Sequence, residues 1–112
     1  MPTPAQRTYG RYTKEALKLL GRQVALGRRE RGLTAQDLAE RTGIARGTLH
    51  RIEKGDPKVE IGVVFEAAAI AGVKLFGEDL PGLASQLGRT DDRLAVLPKH
   101  VYRRPGEADD DF

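Results

Sequence analysis

The chain has 112 residues, with 19 Lys and Arg against 16 Asp and Glu for a net charge of +3, and it contains no cysteine. That length supports one domain with arms, whose single helical core needs a partner subunit to cover the remainder. The missing thiol excludes disulfides, thiolate metal sites and cysteine nucleophiles, and no apolar run nears the roughly 18 residues of a membrane span.

The first twelve residues, MPTPAQRTYGRY, hold two prolines, a glycine and no apolar periodicity. They are expected to form a poorly ordered basic arm, in which Arg7, Tyr9, Arg11 and Tyr12 follow a phosphate backbone or touch a neighbouring subunit. Thr13 is the expected N-cap of a first helix from Lys14 to about Arg31, with Leu17, Leu20, Val24 and Arg28 on one side. Leu19 and Leu26 lie off that stripe, so a second covered face is expected. Gly32 ends the helix.

Two short helices follow within Thr34 to Gly55, meeting at Gly43. Leu38, Ala39, Leu49 and Ile52 give each a buried stripe, and a residue without a Cβ allows the left-handed turn between them. The next helix, Ala45 to Lys54, carries the functional signal. With Leu49 and Ile52 inward, an advance of about 100° per residue turns Gly47, His50, Arg51 and Lys54 outward and leaves Arg46 and Thr48 at the edges. Glu53 falls on a flank. The outward face is basic and free of acids on the helix itself, and a helix of this size fits a DNA major groove. There Arg can donate twice to guanine, Thr and Lys can hold phosphates, and Gly47 permits close approach.

Pro57 stops that helix, and a fourth spans about Glu60 to Ala71. Its Ile61, Val63, Val64, Phe65, Ala67, Ala68 and Ile70 predict enclosure on most sides. A fifth is expected from about Leu80 to Leu87, capped by Asp79 with Pro81 in its first turn. The apolar residues from Val73 to Leu97 exceed what such a bundle can bury, which argues for a two-fold dimer. The stretch Arg93 to Arg104, RLAVLPKHVYRR, reads as an extended piece for a dimer or partner contact, and Gly106 to Phe112 as a disordered acidic tail. The expected divisions are 1–12 for the arm, 13–88 for the domain and 89–112 for the extension.

Charge follows the same partition. Residues 1 to 58 hold 13 Lys and Arg against 6 acids, a surplus of +7, whereas residues 59 to 112 hold 6 against 10, a balance of −4. The cationic half coincides with the helical corner, which points to a polyanion. Enzymatic readings find little support. His50 lies on the basic face and His100 in the extension, with no metal-ligand set and no Ser-His-acid arrangement, so neither catalytic residue nor cofactor is assigned. A pure protein-interaction module would leave the basic face unexplained.

The pattern Gly32-Leu33-Thr34, Leu38-Ala39, Thr42-Gly43-Ile44, Leu49 and Arg51-Ile52-Glu53-Lys54-Gly55 resembles the helix-turn-helix of the Xre family, the Cro and lambda-repressor type of DNA-binding domain, over roughly Lys14 to Phe76. The resemblance implies an all-α, five-helix lambda-repressor-like bundle with a flexible N-terminal arm and an extended C-terminal tail. It also implies double-stranded DNA as partner, read as a palindromic operator by a homodimer in the cytoplasm at the nucleoid. In that family the Glu of the reading helix pairs with a late Arg of the first helix, here Glu53 with Arg28. Ala35 stands where a Gln usually holds phosphate, so that contact is missing or passes to Gln36 or Thr34. Lys58 lies where relatives hold a phosphate at the start of the fourth helix.

The run Arg46-Gly47-Thr48-Leu49 to Gly55-Asp56-Pro57, Gly72 to Leu75-Phe76-Gly77, and Leu97-Pro98-Lys99 further resembles small HipB-like antitoxins. This implies a repressor of its own operon that also restrains a HipA-like serine/threonine kinase. The alternative is a stand-alone Xre regulator, a phage-type repressor or restriction-modification controller, without a toxin partner.

Overall fold

The computed structural model describes residues 7–103, and every regular element among them is helical. Five α-helices follow in order: α1 Arg11–Glu30, α2 Ala35–Thr42, α3 Arg46–Lys54, α4 Ile61–Ile70 and α5 Leu80–Ala95, with a 3-10 turn at Leu75–Gly77 before the last. The all-α, five-helix class expected from the sequence is the one observed. Two compact units divide the chain, the first closing at Gly77 and the second opening at Glu78.

The core of the first unit is Val24, Leu38, Ala39, Leu49, Ile52, Val64, Ala67, Ala68 and Ala71, drawn from α1 to α4 and the residue after α4. Alanine is frequent there because helices this short must approach closely to exclude water, and a methyl group sets the least separation. Leu20, Ile44, Val59, Val63, Val73 and Leu75 pack around its edge. Burial of side chains such as Leu38, Leu49 and Val24 contributes about 1.5–3 kcal/mol each, and all three are fully buried.

Several boundaries differ from expectation. α1 begins at Arg11, not Lys14, because Gly10 takes an extended N-cap conformation with φ −66° and ψ 161°, and its carbonyl accepts from the Lys14 N–H. Thr13 therefore lies inside the first turn, and Arg11 and Tyr12 of the expected arm are helical; residues 1–6 lie outside the described residues. Leu19 and Leu26 stay more than half exposed, so this chain supplies no cover for the second apolar face of α1. The enclosure expected for α4 also fails on one side. Ile61 is 69% exposed and Gly62, Glu66 and Ala69 face outward, while the small residues Ala67 and Ala68 make the buried contact. Periodicity could not show this, since an almost wholly apolar helix has no polar face to mark its outside.

In the second unit, Asp79 caps α5 as expected, accepting from the Gly82 N–H at 2.9 Å, with Pro81 in the first turn. The helix does not stop near Leu87, however, and runs unbroken past residue 88 to Ala95. Gly88 to Arg93 lacks apolar residues but contains no breaker, and Leu94 resumes the face seven residues after Leu87. Arg93, Leu94 and Ala95 thus belong to a helix rather than to an extended piece, and Pro98 lies just beyond its end. Residues 99–103 have no regular structure; Arg104 and the acidic tail Gly106 to Phe112 lie outside the described residues.

Candidate nucleic-acid interface

The corner between α2 and α3 is built by local chemistry. Thr34 caps α2 by accepting the Asp37 N–H at 3.0 Å, while the Asp37 carboxylate accepts the Thr34 N–H at 2.9 Å, a reciprocal capping box. The bond from the Thr34 backbone, and then its hydroxyl, hold the Asp37 carboxyl below its ordinary range. At the other end Gly43 adopts φ 78°, and its N–H reaches back to the carbonyls of Ala39 and Glu40. That left-handed geometry is strained for a side-chain-bearing residue, and it delivers the chain into α3.

Three contacts seat α3 against α1. Gly21 lies so near the end of α3 that a Cβ there would stand 2.5 Å from the Ile52 carbonyl oxygen and 2.6 Å from that of Glu53, hence backbone meets backbone. One residue along, Arg22 donates through Nη1 to the Glu53 carbonyl oxygen at 2.7 Å, satisfying an acceptor that the helix end leaves open. The third contact is the Arg28–Glu53 pair. Arg28 Nε and Nη2 donate to the two carboxylate oxygens at 2.8 and 3.2 Å, and Nη1 donates to the Leu33 carbonyl at 3.1 Å. With every terminal nitrogen and Nε engaged, the buried guanidinium is fully partnered, and the bond to Glu53 raises its pKa against the opposing effect of burial.

With Leu49 and Ile52 facing the core, the remaining surface of α3 is exposed at Arg46, Gly47, His50, Arg51 and Lys54 and half-buried at Thr48. Nothing lies within 4 Å of where a Gly47 Cβ would stand. Thr34, Gln36 and Lys58 are also exposed, on other elements: Thr34 at the start of α2, Gln36 in its first turn with its amide donating to Glu40 at 3.0 Å, and Lys58 between α3 and α4.

One partner was not expected. Asp56, just past the helix, accepts from Arg51 Nε at 2.8 Å and from the Lys58 N–H at 2.8 Å, so the outward face is not as free of acids as α3 alone implied. The Arg51 bond, with the Lys58 N–H second, holds the Asp56 carboxyl below its ordinary range. The Arg51 fork is thereby oriented through Nε.

Two further cations escaped sequence reasoning. A cleft of about 350 Å³ between α1 and α3 is lined by Arg22, Ala25, Arg29, His50, Glu53 and Lys54. Both Glu53 oxygens are taken by Arg28. Among the described residues Arg29, His50 and Lys54 have no acidic partner. Arg22 and Arg29 lie off the apolar stripe of α1, seven residues apart, a spacing that places them on one face; their nearness to α3 depends on how the helices pack. No group of three or more His, Cys, Asp or Glu stands close enough to hold a metal among the described residues.

A short amphipathic helix presented outward, preceded by a capped helix and a left-handed glycine corner, defines a helix-turn-helix, the class of fold that places one helix in a DNA groove. The chain belongs to the helix-turn-helix domain family, whose match covers residues 19–97, more than half of its length. No curated protein and no solved structure matches it. Among the described residues no helix is long and apolar enough to cross a membrane.

Proposed function

We propose that the protein is a sequence-specific transcriptional repressor that inserts α3 into the major groove of a palindromic operator as a two-fold dimer. In this reading Arg46, Gly47, His50 and Arg51 meet base edges, while Thr34, Gln36, Thr48, Lys54 and Lys58 meet phosphates. The observation that carries it is the exposed cationic face of a helix clamped from behind by Gly21 and the Arg28–Glu53 pair. Rigid presentation of donors is what direct readout needs. Leu80, Leu87 and Leu94, all more than half exposed and spaced by seven on α5, support self-association. Two-fold symmetry would set the reading helices about 34 Å apart, one turn of duplex.

Selection of bound fragments from the parent genome, followed by binding across a salt series, tests the DNA reading. A palindrome and a log-log slope near −0.9 per phosphate contact are expected; indifference to both sequence and salt would sink it. Within that function the finer role is that of an antitoxin restraining a HipA-like kinase. The residue pattern shared with HipB-like proteins supports it, as does the exposure of Val96, Leu97, Val101 and Tyr102 after α5. Co-purification with a kinase encoded beside it, and loss of that kinase's activity on mixing, is the expected result. A palindrome upstream of a gene with no kinase neighbour would return the chain to the stand-alone regulators.

A further inference from the structure

We infer that the cleft between α1 and α3 is a phosphate-binding site, occupied by a backbone phosphate of the duplex that α3 enters, with Arg29 as a ligand from outside the helix-turn-helix. The inference rests on the DNA reading and extends the contact surface to α1.

The cleft is cationic by elimination of its acid. Glu53 lines it, yet both its carboxylate oxygens accept from Arg28 on the core side. Arg22 is braced by its bond to the Glu53 carbonyl through one nitrogen, which leaves its other donors directed by a fixed anchor. Arg29, His50 and Lys54 are exposed and have no acidic partner among the described residues. Like charges gathered in a concave space of about 350 Å³ raise each other's energy until an anion enters.

Geometry identifies the anion's source. His50 and Lys54 belong both to the outward face of α3 and to the lining of the cleft, so the cleft opens along the edge of the reading surface. A helix with its side chains is about 10–12 Å across and the major groove about 12 Å wide. Groups flanking an inserted helix therefore meet the sugar-phosphate strand on their side. Arg22 and Arg29 are such groups.

The test measures binding of the full chain, parent and variants, to its selected fragment and to a mixed-sequence duplex from low to high salt. Arg29→Ala is expected to weaken both duplexes alike and to make the slope shallower by about 0.9, the value of one phosphate contact. Arg29→Lys should restore the slope, because a point charge suffices for phosphate. Arg89→Ala, which removes the same charge from the second unit, should leave it unchanged. Arg29 is exposed and outside the core, and far-ultraviolet circular dichroism confirms that the variants fold.

An unchanged slope in Arg29→Ala overturns the inference while leaving the DNA reading intact, and so does an equal change in Arg89→Ala, which would trace the effect to net charge. Absence of salt-dependent binding in the parent removes both. A second arm adds inorganic pyrophosphate to the protein without DNA at constant ionic strength. A rise in melting temperature that Arg29→Ala abolishes, together with an unchanged slope on DNA, would give the cleft to a free anion and overturn the duplex assignment.

Discussion

Gly47 separates two roles that most residues combine. Inside the chain its position is open, so adding a methyl group costs no contact, and alanine is the better helix former by up to about 1 kcal/mol. Gly47→Ala should therefore keep or raise the melting temperature while weakening operator binding, since the methyl group would stand between α3 and the bases. Equal affinity of parent and variant would remove Gly47 from the contact surface. Asp37 and Asp56 show how single carboxylates tie stability to acidity. Both are held below the ordinary value of about 3.9 by hydrogen bonds that exist only in the fold. At acid pH the unfolded chain then binds more protons. Their stabilisation is complete above that value and is lost as pH falls through the lowered folded one. Melting temperatures below pH 4 should decline, and the decline should be shallower in Asp37→Asn; identical curves would show that the capping box does not contribute to it.

Among the elements, α3 depends on α1 for its position. Glu53→Ala would leave Arg28 nearly buried with only the Leu33 carbonyl as partner, a loss on the order of 3 kcal/mol. Thermal or denaturant unfolding should register it, and a variant as stable as the parent would show that the pair orients α3 without holding the fold. What could be read beforehand at this scale was whatever is encoded over a few residues. The Gly43 corner, the inward pair Leu49 and Ile52 and the cap at Asp79 each depend on near neighbours. The Arg28–Glu53 pair came through family resemblance, since 25 residues separate the partners. The Asp56 contact with Arg51 was missed because it lies past the helix end, where a wheel no longer applies. Arg29 was missed because its place beside His50 and Lys54 is a product of packing. Gly21 did carry a signal, as an isolated glycine inside a helical pattern implies a close neighbour, but the neighbour itself could not be named.

For the whole molecule, the division at Gly77 has an experimental meaning. Every residue of the buried core precedes it, so a chain ending there should remain helical and unfold cooperatively. If α5 carries self-association, the same truncation should sediment as a monomer and bind a palindromic duplex more weakly than the parent. A truncated chain that still dimerises would move the subunit contact to other exposed apolar residues, Leu19, Leu26 or Ile61 among them. The polar stretch that hid the true length of α5 is Gly88 to Arg93, where the helix continues on propensity and on bonds such as that from the Thr90 hydroxyl to the Gln86 carbonyl.

Where Gly21 brings α1 against the end of α3, no side chain intervenes to act as a cushion. The angle at which α3 leaves the body of the protein is consequently settled before any duplex arrives, and rocking it would drive one main chain into another. Accommodation at the interface must then come from the nucleic acid, so the ease with which a given base-pair step bends or narrows becomes part of what is recognised, even at positions that no side chain reaches.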